Sequence, residues 1–213
     1  MPEIASPPAS TLTPAKTARQ RSDTLTSIWM IIAVAMALVT LVVKNRMPQP
    51  LWTIIHLVTL GVLSNGIFQW SWFFARSLAR LSADDPRARR HNTIRILIFN
   101  ACFLLLFVSM WLGWMVGTMI AATGIAAVAA WHGAEMLSVL RERLASRFVI
   151  VVRYYVCSAS FFVLAALLAS FVSATMFSPS IPEAMVAMRD RLTLAHALSG
   201  VAGWVGLTIG GTV

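Results

Sequence analysis

The sequence predicts an all-α fold, a polytopic transmembrane helical bundle of about six spans with its N-terminus on the cytoplasmic side. Two observations predict the class and a third the orientation. Hydrophobic residues make up 58% of the 213, charged residues only 12%, and the mean hydropathy is +0.77. A soluble domain is ordinarily about a quarter charged, so this chain could not cover its own surface in water and needs the lipid bilayer as its solvent. The apolar residues fall in long runs parted by short polar segments, and Lys and Arg collect in alternate segments.

Residues 1–24 are rich in Pro, Ser, Thr and Ala and read as a disordered cytoplasmic tail, leaving 25–213 as the transmembrane domain. The first span is 27–43, short but sufficient. Lys44, Arg46, Pro48 and Pro50 make a tight exit loop. The second span runs from 51 to about 75. A basic loop, 76–95, follows and turns at Asp84-Asp85-Pro86. The third span covers about 94–111, with Gly113 at the next turn. The fourth, 114 to about 140, carries Gly117, Ala121, Gly124, Ala127 and Gly133, small residues that place it at the centre of the bundle. Arg141, Arg143 and Arg147 close it. The fifth runs from about 148 to 177, and Pro179 and Pro182 punctuate the following loop. The sixth begins near 192 and is still apolar at Val213, which suggests part of a longer polypeptide cut at or inside a helix; the alternative is a short protein with a bare end.

Orientation follows from the cations. Of 17 Lys and Arg, the outer loops of an N-in topology hold Lys44, Arg46, Arg189 and Arg191, leaving 13 on the inner side. The net charge of +9 therefore encodes topology, and nucleic acid is excluded as a partner. Trp29, Trp70, Trp72 and Trp131 fall toward the inner face, Trp52, Trp111 and Trp114 toward the outer, as interfacial aromatic belts; Trp204 falls near the midplane. Cys102 and Cys157 lie within apolar runs and read as small buried hydrophobes. No Cys-x-x-Cys-His occurs, which excludes covalent c-type haem.

Ionisable groups inside a membrane each need a reason. His91 sits in the basic loop and reads as solvated. His56 and His196 each lie four or five residues below the outer end of a span, hence within roughly 6–8 Å of the outer boundary at the helical rise per residue. Two histidines at one depth on separate helices are what axial ligation of a haem iron requires. Below His196, Gly200 and Gly203 would leave room for a flat macrocycle; equally, glycines at this spacing let helices pack closely. His132 lies deeper, toward the inner face, with Glu135 at i+3 on the same helix face. Glu135 and Arg153 are expected to pair; the rival reading makes His132 and Glu135 a proton path. Asn65, Gln69 and Asn100 read as interhelical hydrogen-bonders.

The stretch His56-Leu-Val-Thr-Leu-Gly61, with Asn65 and Ser71-Trp-Phe-Phe74, resembles a bacterial membrane domain. So does the stretch from His196 through Gly203-Trp204 and Leu207-Thr208 to Gly211-Thr212. That domain stands N-terminal to periplasmic copper-oxidase or copper nitrite reductase modules, and is distantly similar to the catalytic subunit of haem–copper oxidases. The resemblance covers about 50–213 and implies that His56, His132 and His196 bind haem or copper and carry electrons. The pattern has a further histidine at the position of Phe73, so an inner site here lacks one ligand and the outer pair is the better candidate.

Three membrane histidines cannot fill both centres of a haem–copper oxidase. The expected function is therefore an electron-transfer subunit or domain with no catalytic residues of its own. It would hold haem b or copper near the outer face of the bacterial cytoplasmic membrane. Its electrons would go to a periplasmic copper partner, with quinone as a possible donor and oligomerisation open. The competing expectation is a non-redox anchor or assembly subunit with structural histidines. A solute carrier is a third, with little support beyond the glycines of the last span.

Overall fold

The computed structural model describes residues 14–82, 85, 87–142, 149–178 and 180–213. The described residues form helices and no strands. Seven helices follow in order: α1 (Pro14–Val43), α2 (Pro50–Leu78), α3 (Asn92–Trp111), α4 (Met115–Glu142), α5 (Val149–Phe177), the short α6 (Glu183–Ala187) and α7 (Arg189–Thr212). Six of them, all but α6, are long and apolar enough to cross a membrane, so the chain is a multi-pass membrane protein. Large apolar side chains at Ile31, Val42, Leu51, Leu112 and Leu194 point outward, as a lipid-facing surface requires.

α1 starts earlier than composition suggests. The stretch 14–24, expected as tail, is helical from Pro14, a residue suited to the first turn because its missing N–H costs nothing there. A 3-10 turn, Lys44–Arg46, closes α1, and Pro50 opens α2 at the first helical position. The basic loop is shorter than expected, because α2 continues to Leu78 and a π-helical turn, Arg87–His91, leads into α3. In this loop Asp84 and Pro86 lie outside the described residues, as do Arg143, Arg147 and Pro179 elsewhere.

The core sits between α2, α3, α4, α5 and α7, where Phe68, Phe99, Phe103, Ala121, Ile125, Ala129, Phe162 and Trp204 pack together. The small face of α4 puts it at the centre, against both α3 and α5. At Gly133 an added Cβ would lie 3.1 Å from the Ala159 Cβ of α5, so the two backbones approach closely there. α1 is peripheral, with 17% of its span buried against 50% for α3 and α4. Trp70, Trp111 and Trp114 are exposed to the lipid side as belts require, but Trp72 is fully buried. Cys157 is exposed on α5 rather than buried.

Two spans depart from regular α geometry in matching places. α2 widens into a π-helix over Leu57–Ser64, directly after His56, and α7 over Ser199–Gly206, just after His196. The widened turns are supported by side chains that take up main-chain carbonyls. Ser64 Oγ donates to the Thr59 carbonyl at 2.8 Å and Asn65 Nδ2 to the Gly61 carbonyl at 3.0 Å. Thr208 does the same in α7, to the Trp204 carbonyl at 2.7 Å. The two π segments touch, and Trp204 Nε1 donates to Ser64 Oγ at 3.0 Å across them. Such segments concentrate at functional sites, and here both adjoin a histidine.

Candidate functional site

Pro50 starts α2 one and a half turns before His56, which sets the ring just inside the outer end of the bundle. The 6.1 Å separation of the His56 and His196 ring centres brings the two spans' histidines face to face, with their planes only 11° apart. Each ring is fixed by one nitrogen. His56 Nδ1 lies 2.8 Å from the Trp52 carbonyl, and His196 Nδ1 lies 2.8 Å from the Ala165 carbonyl of α5. A carbonyl only accepts, so both Nδ1 atoms carry the proton and both Nε2 atoms keep the lone pair. Neither Nε2 hydrogen-bonds any described residue. Trp52 stacks on His56 at 4.2 Å, so true ring-on-ring contact is much shorter than the histidine spacing.

That spacing fits a metal. An ion bound to one nitrogen of each ring at about 2 Å holds the ring centres roughly 6 Å apart. A second-sphere carbonyl on each Nδ1–H is the usual way such a ligand is oriented. Among the described residues no group of three or more His, Cys, Asp or Glu could enclose a metal, so the pair fits two-coordinate or axial ligation and not a closed four-ligand site.

Gly200 and Gly203, below His196, lie against α5. A Cβ on Gly203 would lie 2.5 Å from the Phe161 Cβ, and the nearest atom to one on Gly200 is the Ala165 Cβ at 3.9 Å. Both therefore face α5, not α2. Gly203 packs closely against Phe161 of α5.

His132 does not join the outer pair. Its ring lies beside Phe68 and Trp204, the latter two turns beyond His196 along α7. His132 Nε2 is 3.0 Å from Ser71 Oγ. The three-histidine metal set implied by the resemblance is thus split between two layers. Phe73, where that pattern has a histidine, packs edge-on against Trp70 and Phe74.

No family model, no curated protein and no solved structure matches this chain.

A second constellation lies nearer the basic face. Glu135 pairs with Arg95, and not with Arg153, which is exposed on α5. The expected Glu135–Arg153 pair fails because Arg95, assigned to the loop, is a fully buried residue one turn inside α3. Glu135 Oε1 also accepts from Trp131 Nε1 at 2.9 Å and lies 2.6 Å from His91 Nδ1. His91, expected to be simply solvated, keeps 37% of its side chain exposed while holding this carboxylate. From Arg95 the network runs on: Nη2 donates to Asn92, Asn92 Nδ2 to Gln69 at 2.8 Å, and Gln69 to Asp23 of α1. Asn65 and Asn100 form a reciprocal amide pair at 3.0 and 2.7 Å between α2 and α3. One polar ladder therefore ties α1, α2, α3 and α4 together, and every charge in it faces a partner.

On the basic surface, Arg87 bridges Asp85 and Glu142, each at 2.7 Å. The Arg87 guanidinium holds the Asp85 carboxyl below its ordinary range, and the two carboxylates push the Arg87 value up.

Proposed function

We propose that this chain is an electron-transfer domain of a bacterial cytoplasmic membrane in which His56 and His196 jointly hold one redox metal, a b-type haem iron or a copper ion, near the outer face. The observation that carries this reading is the pair of near-parallel imidazoles 6.1 Å apart, each anchored through Nδ1. Bound there, the metal would supply one-electron redox chemistry. The chain's own contribution is orientation. The Trp52 and Ala165 carbonyls fix each tautomer and leave both Nε2 lone pairs free for a metal. Trp52 covers one face of His56 and keeps it from rotating. The matched π-helical segments set the two histidine-bearing spans against each other.

In this reading the protein is a relay and not a complete enzyme. Electrons come from the quinone pool and leave to a periplasmic copper domain, an assignment supported by the resemblance of residues 50–213. Between haem and copper, the ring spacing accommodates either, while the packing of Gly203 on Phe161 favours the smaller group. That same packing is the observation that favours the rival reading, a non-redox anchor with structural histidines.

The test is metal and haem content of the purified chain, with visible spectra recorded oxidised and reduced. The expected result is one equivalent of haem or copper per chain, lost in the double variant His56→Ala, His196→Ala. A colourless, metal-free protein from cells supplied with both groups overturns the proposal.

A further inference from the structure

The polar ladder ends in a layer where three buried polar atoms have no partner: Trp72 Nε1, Arg95 Nε and His132 Nδ1. They belong together. The Arg95 guanidinium carbon lies 5.0 Å from the centre of the Trp72 ring. His132 is held by Ser71, the residue before Trp72, and lies one helical turn from Glu135, the partner of Arg95. All three side chains are at least 98% buried.

Their chemistry is complementary. Ser71 Oγ lies 2.6 Å from the Ile67 carbonyl and must donate its one proton there. It can then only accept from His132, so the His132 proton sits on Nε2 and Nδ1 presents a lone pair. Trp72 Nε1 and Arg95 Nε are both N–H donors. Two donors and one acceptor sharing this buried layer match the needs of a water molecule, which accepts two hydrogen bonds and donates the third. An anion would leave the His132 lone pair opposed to a second acceptor, and an apolar group would leave all three buried atoms unsatisfied.

We propose that Trp72, Arg95 and His132 bind a buried water, and that this water extends the Glu135–Arg95 cluster to His132, giving the inner half of the bundle a hydrogen-bonded route to solvent at His91. The site stands independently of the outer histidine pair. It explains why a buried arginine and a buried histidine share one layer of a membrane bundle: the water satisfies both without requiring either to change charge.

The experiment uses the full chain in lipid nanodiscs, labelled with nitrogen-15 in histidine and tryptophan. The His132 signal is identified by its loss in His132→Gln. Trp204 Nε1–H is the internal reference, since it is equally buried but bonded directly to Ser64. The expected result is an Nε2–H tautomer at His132, magnetisation transfer from water to that ring, and exchange with heavy water at least about tenfold faster than at Trp204. Trp72→Phe, which keeps a ring but removes the donor, should abolish the transfer and slow the His132 exchange while leaving Trp204 unchanged. A His132 ring without water transfer, exchanging no faster than Trp204, overturns the proposal; so does transfer that persists in Trp72→Phe. The wild-type comparison with Trp204 decides the matter even if the variant fails to assemble.

Discussion

Gly203 and Gly210 lie two turns apart on α7, and the structure assigns them opposite sensitivities to the same substitution. At Gly203 an added Cβ meets the Phe161 Cβ at 2.5 Å, an atom rigidly attached to the α5 backbone, so accommodating it means separating two helices. Forcing a methyl group into a packed contact costs about 1–3 kcal/mol. Replacing glycine by alanine in a helix returns up to about 1 kcal/mol. For Gly203→Ala the net expectation is a loss of about 1–2 kcal/mol, or roughly 2–8 °C in melting temperature for a chain of this length. At Gly210 nothing lies within 4 Å of the added Cβ, so Gly210→Ala keeps the propensity gain and should be neutral or slightly stabilising. Thermal unfolding of the metal-free chain in one detergent, followed by tryptophan fluorescence, reads both. The reasoning is refuted if Gly203→Ala melts at or above wild type, or if Gly210→Ala falls as far. The same pair separates packing from cofactor binding: a glycine that cradled a macrocycle would lose haem on substitution without lowering the stability of the apo chain.

The inner cluster gives a second contrast. Glu135→Ala strands the fully buried Arg95 and should destabilise by about 3–5 kcal/mol, whereas Arg153→Ala, at an exposed position, should stay within about 0.5 kcal/mol of wild type; chemical denaturation of both variants in mixed micelles measures the difference. The surface pair gives a pH dependence. Because Arg87 lowers the folded-state value of Asp85, its stabilisation is complete above the ordinary carboxylate range and disappears as pH falls through the lowered value. Protease sensitivity of the loop between α2 and α3 should therefore rise at acidic pH in wild type, and an Asp85→Asn variant should be equally sensitive at all pH values; because the pair is only partly buried, the effect should shrink in high salt.

Much of the fold was legible because lipid imposes simple rules. Six apolar runs had to be helices, since no other open segment satisfies its own backbone in a bilayer. Asn65 and Asn100 could be assigned across helices because an amide in an apolar run has no other partner to find. Depth could be counted along each span, which is why His56 and His196 were paired correctly at the level of position. Azimuth could not be counted so well. A π segment inserts an extra residue per turn and rotates everything beyond it, and hydropathy does not distinguish the two helix types. Gly203 lies within such a segment, and its contact with Phe161 of α5 could not be read from spacing alone.

Arg95 was missed for a different reason, and the reason bears on how the inner cluster works. A cation at the edge of an apolar run is ordinarily assigned to the loop, and here the basic loop offered five other arginines to hide it among. The distinguishing signal was periodicity: Asn92, Arg95, Phe99 and Asn100 recur at helical spacing, and all four are buried on one face of α3. A polar face that continues into the apolar run predicts a partner on another helix, and Glu135 on α4 is the one buried carboxylate among the described residues able to answer it. Once that pair is buried, its remaining hydrogen-bonding capacity must also be met in the dry interior. Trp131, His91 and Asn92 meet most of it, and the Arg95 Nε left over points to the layer shared with Trp72 and His132. The buried ion pair thus creates the demand for a further polar ligand, and it is the inner half of the bundle, not the outer histidine pair, where the protein has committed charge to the membrane.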